Sequence, residues 1–152
     1  MDAGPKGDAD LIIIANYVAA PHREDVSVNP NDTEEAIWAF MCEAKLLGVE
    51  AARQNFLSVG QDSRPVMRAA YDVFRQGDSP DEIIRAAKED KEGHAAFYSM
   101  LYVGLWHEAF GNETEAEAAM TKAIQTRYAR QAGDYMASLA KVHALRRGWS
   151  VS

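Results

Sequence analysis

From residue 33 to residue 147 the apolar positions recur at the spacing of helices with one buried face, broken only at polar or glycine-containing joints. The pattern predicts helices near 33–47, 49–59, 64–76, 80–89, 94–110, 113–127 and 131–147. The joints carry their own signals. Asn31 with Glu34, and Asn112 with Glu115, have the spacing of a capping box. Ser79, Pro80 and Glu82 give a cap, a proline at the first helical position and a carboxylate three residues after the cap. Gly60, Gly77, Gly111 and Gly148 stand where helices would stop. The joints are short, so neighbouring helices should lie antiparallel. The helix at 95–110 is apolar or aromatic on nearly every side, which predicts burial on all its faces.

Before residue 33 the pattern differs. Residues 1–10 read as a lead, and 1–32 together as a flexible or extended N-terminal segment. LIIIANYVAA (11–20) fits either a strand or a short helix and stops at Pro21. It is too short to cross a bilayer, and no basic leader precedes it. Residues 33–152 read as one helical domain, ordinary for a chain of 152 residues with 47% hydrophobic and 26% charged content.

Glycine inside a helix costs roughly 0.5–1 kcal/mol relative to alanine. Gly104 interrupts YVGLWHEAF, so something must offset that cost. An antiparallel hairpin turning at Gly111 and Asn112 would bring Gly104 against Ala116 and Ala123 and let two backbones approach closely. Met100, Val103, Gly104, His107, Gly111, Ala116, Met120 and Ala123 have the spacing of the tetratricopeptide-repeat motif, which this stretch resembles. It departs from the motif at Met100 for tryptophan, Val103 for leucine, His107 for tyrosine, and Tyr128 near the usual proline. A step back of 34 residues takes Gly111 to Gly77 and Gly104 to Ala70; a step forward of 36 takes Gly104 to Ala140 and His107 to His143. The resemblance covers about 64–149 and is strongest over 97–130. It implies an all-α fold of antiparallel helix hairpins stacked as a short tetratricopeptide-repeat-like solenoid. A weaker resemblance, in FYSMLYVGLWHEA and GDYMASLAKVHALRRGW, is to plastid tetratricopeptide-like proteins of plants and algae, and implies a chloroplast location, with the cytoplasm as alternative.

Charge and candidate chemistry narrow the function. Six basic side chains against Asp134 alone make residues 121–152 net +5, so the rest of a chain of net −7 carries −12. An acidic chain is a poor nucleic-acid binder. The basic third reads first as solvated helix faces and otherwise as a surface for an acidic partner or lipid headgroups, without a transmembrane segment. One cysteine, Cys42, excludes an internal disulfide, and its apolar surroundings mark it as a core residue. The four histidines lack zinc spacing, no phosphate-binding or nucleophile-elbow motif is present, and Glu34–Glu35 and Glu113–Glu115 sit at helix starts where the dipole favours them. No catalytic residue, metal or cofactor is expected.

By the resemblance, a groove lined by Tyr98, Leu101, Leu105 and Glu108, with Lys141 from the next unit, would hold a protein segment, unless residues 11–20 fold back and fill it. Arg146, Arg147 and Trp149 are further candidate contacts. The expected role is a non-enzymatic adaptor or assembly subunit of a larger complex, with a photosynthetic complex as natural host. Alternatives are an enzyme or small-ligand binder with a pocket around His107 and Glu108, and a self-associating module.

Overall fold

The computed structural model describes residues 33–151; among them are eight helices and no strand, so the fold is all-α. They are α1 (Thr33–Leu47), α2 (Val49–Gln54), α3 (Pro65–Gln76), α4 (Asp81–Ala87), α5 (His94–Ala109), α6 (Glu113–Gln125), α7 (Arg127–Gln131) and α8 (Tyr135–Arg146). The expected lead, the run 11–20 and the Asn31 cap lie outside the described residues. Contacts group the chain into two compact units that divide between Asp78 and Ser79, at one of the joints in the apolar pattern.

In the first unit α1 packs on α2 and α3. Phe40 of α1 meets Phe74 of α3 edge-on at 5.2 Å between ring centroids and Phe56 at 5.9 Å. Phe56 in turn meets Tyr71 at 5.3 Å. That inward turn of Phe56 explains why α2 stops at Gln54 rather than near residue 59. The non-helical backbone that follows takes its hydrogen bonds from Tyr71, whose hydroxyl donates to the Leu57 carbonyl and accepts from the Val59 amide. Arg64 closes the segment by donating to Asp62, at 3.0 and 2.8 Å, and to Glu34 of α1, at 3.1 Å.

In the second unit α5 is the central element, packed against α4, α6 and α7. From Ala96 to Leu105 every residue except Met100 is buried, as a helix apolar on all sides requires. α5 and α6 form a hairpin whose turn is a Schellman motif. Gly111 adopts a left-handed φ of 79°, its amide donates to the Glu108 carbonyl, and the Asn112 amide donates to the His107 carbonyl. Asn112 does not cap α6 through its side chain; that amide lies 3.2 Å from His107 Nδ1 instead. Gly104 is the close-approach residue. A Cβ there would lie 3.3 Å from the Ala116 carbonyl oxygen and 3.3 Å from the Met120 amide nitrogen. The partners are therefore Ala116 and Met120; Ala123 is buried but is not among the nearest neighbours of Gly104.

The stretch after α6 is not a simple loop. Thr126 ends α6 and starts α7: its hydroxyl donates to the Ala123 carbonyl and accepts from the Ala129 amide. α7 then occupies residues that the sequence pattern divides between the end of one helix and the start of the next. α8 packs on α6, and hydrogen bonds reach it from both ends of α5. Tyr98 reaches Asp134 and Glu108 reaches His143, which makes α5 and α8 parallel at an offset of 35 to 36 residues.

Candidate functional site

Two polar ties hold α8 against α5. At the N-terminal end, Asp134 caps α8 by accepting from the Met136 amide at 2.8 Å. The same carboxylate accepts from the Tyr98 hydroxyl at 2.7 Å and the Tyr128 hydroxyl at 2.6 Å, joining α5, α7 and α8. Desolvation works to raise its pKa, but the two hydroxyls, the amide and the nearby His94 outweigh it and hold Asp134 below the usual carboxylate range.

At the C-terminal end, Glu108 accepts from His143 Nε2 at 2.8 Å and from Arg147 Nε. An ionised carboxylate can only accept, so Nε2 carries the proton. Burial pushes Glu108 up, and the bonds and charges of His143 and Arg147 pull it down further, so the group is held ionised. The chain then closes in a second Schellman motif, with the Gly148 amide on Leu145 and the Trp149 amide on Ala144. Trp149 folds inward beside His143, at 6.1 Å between ring centroids.

This geometry redistributes the expected contact residues. Tyr98, Leu101 and Leu105, expected to line a groove, are buried, with Leu101 and Leu105 fully enclosed. α5 therefore has no open face at those three positions. Trp149 is likewise an inward anchor and not a surface contact. Glu108 and Arg147 are partly exposed and engaged with each other. Lys141 and Arg146 are exposed on α8.

The same helix carries residues the sequence reading missed. Tyr135, Val142 and Leu145 are 72%, 45% and 59% exposed. Their spacing puts them on one stripe of α8, opposite the buried Met136, Ala137, Ala140 and Ala144. The signal was present in YMASLAKVHALRRGW, which has more apolar positions than one buried face uses.

Neither of two clefts formed by described residues includes His107 or Glu108. One, about 520 Å³, lies among α4, α5, α6 and α7; the other, about 260 Å³, is lined by residues 58–62 and by Arg68, Tyr71, Asp72 and Arg75 of the first unit. Among the described residues no group of three or more His, Cys, Asp or Glu is arranged to hold a metal ion. No described helix is long and apolar enough to cross a membrane. Burial pushes the Cys42 thiol up to about 12, far from a nucleophile's range. The shifted acids and the thiol thus move away from neutrality, the reverse of what general acid–base or nucleophilic work needs. Comparisons with protein-family models, with curated proteins and with solved structures find no match for this chain.

Proposed function

We propose that the chain is a non-enzymatic interaction or assembly subunit, built on a tetratricopeptide-repeat-like stack of hairpins, that docks onto a larger protein complex through the outer face of α8. The observation that carries this reading is that α8 is apolar on two sides. Single exposed hydrophobic residues are ordinary on protein surfaces. Three aligned on one helix, rimmed by Lys141 and Arg146, form a patch of the kind that binds a partner. In a stacked helical array each such face is covered by the next helix. The chemistry of the rim suits an amphipathic partner helix with acidic flanks.

The repeat-like part of the proposal is supported by the parallel run of α5 and α8 at the step the sequence periodicity predicts, with α6 packed on both. By the plastid resemblance, the host is a photosynthetic complex. The alternative reading, a pocket around His107 and Glu108, draws no support from geometry. The polar groups there converge on one another: Glu108 on His143 and Arg147, His107 on Asn112.

The test compares the native chain with the double variant Val142→Asp/Leu145→Asp in source-cell extract, by size-exclusion chromatography. The native chain should elute with a larger particle, and the variant as a folded monomer. Elution of the native chain as a monomer would sink the proposal.

A further inference from the structure

We propose that the cleft of about 520 Å³ among α4, α5, α6 and α7 is a binding site for a phosphate-bearing organic molecule of nucleotide size. Its cations are Lys88 and Lys91 from the α4–α5 loop, Lys122 from α6 and Arg130 from α7. Two acids also line it, but both are committed to backbone. Asp90 accepts from the amides of Glu92, Gly93, Ala95 and Ala96 at the start of α5. Glu92 accepts from the Arg127 amide at 2.8 Å. None of the three lysines has an ion-pair partner among the described residues, and Arg130 donates to a neutral acceptor, the Gln125 carbonyl.

Helix electrostatics account for part of this. Lys122 and Arg130 lie near the C-terminus of α6, where cations are favoured. The same effect favours Lys88 as well, the C-cap residue of α4, but not Lys91, which lies in the α4–α5 loop away from a helix C-terminus. Lys88 also holds a left-handed φ of 56°, a conformation that favours glycine, so a cation is kept there at a backbone cost. Four cations stand in one concavity against the carboxylates of Asp90 and Glu92, leaving an excess of positive charge that a chain of net −7 does not require. A multiply charged anion balances that excess, and several separate cationic donors suit a diphosphate better than a single carboxylate. The wall between them is apolar, formed by Ile84, Ala87, Ala96 and Met100, and offers a surface for a base or similar ring. The volume fits a ligand of that size.

Titration calorimetry on the full chain tests this with ADP, pyrophosphate, adenosine and a tetraglutamate peptide as probes. ADP should bind most tightly, pyrophosphate more weakly, and adenosine and the peptide not measurably. High salt should weaken ADP binding. Lys88→Glu/Lys122→Glu should weaken it about tenfold or more, because it removes two attractions and adds two repulsions. Both lysines are exposed, so the variant should keep the parent's melting curve, and circular dichroism checks that. The proposal is overturned if neither ADP nor pyrophosphate binds, if adenosine or the peptide matches ADP, or if the charge reversal leaves a folded protein's ADP affinity unchanged.

Discussion

Gly104 shows how much one missing methyl group decides. Backbone atoms of Ala116 and Met120 would stand 3.3 Å from its Cβ, and backbone yields less easily than a side chain's flexible end. Gly104→Ala should therefore lose stability despite the better helix propensity of alanine. Gly104→Leu should cost about 1–3 kcal/mol or more in urea unfolding, as overpacking does. A leucine variant with the parent's midpoint would refute the close packing. Glu108 decides the response to acid. Its folded pKa lies below the ordinary value of 4.5, so the unfolded chain takes up its proton first. The stabilisation it contributes is complete above that ordinary value and drains away as pH falls through the depressed one. Asp134 acts in the same direction. Urea titrations between neutral and acid pH should show stability falling on acidification. Glu108→Gln should flatten that slope and lower neutral stability by about 1–2 kcal/mol, a buried charged hydrogen bond partly screened by solvent. The Glu108–His143 pairing was half legible: the 36-residue step aligns His107 with His143, but no spacing says that Glu108 is the residue across from it.

At the scale of elements, the long periodic helices were legible and their ends were less so. α1, α3, α5 and α8 carry apolar faces long enough for period alone to define them. α7 and the end of α2 were not legible, because tertiary contacts set both. Thr126 is polar, yet it is buried and serves two helices at once. Phe56 is apolar, yet it leaves a helix in order to stack on Phe40 and Tyr71. Asp134 is a joint of the same kind, tying three elements. Asp134→Ala removes a helix cap and leaves two tyrosine hydroxyls without that acceptor, so it should cost about 2–3 kcal/mol. Tyr98→Phe and Tyr128→Phe should each cost about 1 kcal/mol, with a double-mutant cycle showing that they do not add. If Asp134→Ala melts like the parent, the tie is not structural.

At the scale of the whole molecule, the charge asymmetry resolves into separate jobs. The basic residues of the last third have different surroundings. Arg147 is spent on Glu108, Lys122 and Arg130 line the cleft, and Lys141 and Arg146 are exposed on α8. Docking and folding should therefore separate. Val142→Asp/Leu145→Asp replaces residues that already face water, so it should cost no more than about 1–2 kcal/mol, from helix propensity and the dipole at the end of α8, and leave the chain folded while association is lost. Loss of both together would mean that the outer face of α8 is covered within the chain itself.

The sequence by itself determined that the fold is helical, which helix is central, where the hairpin turns, and that Gly104 needs a backbone beside it. Each of these follows from spacing and from the conformational range of a residue type, which are local properties. Only the tertiary structure decided which side of a helix meets water. Burial depends on neighbours that arrive from distant parts of the chain. For that reason Tyr98, Leu101, Leu105 and Trp149 are interior, while Tyr135, Val142 and Leu145, no more polar as a group, stand outside.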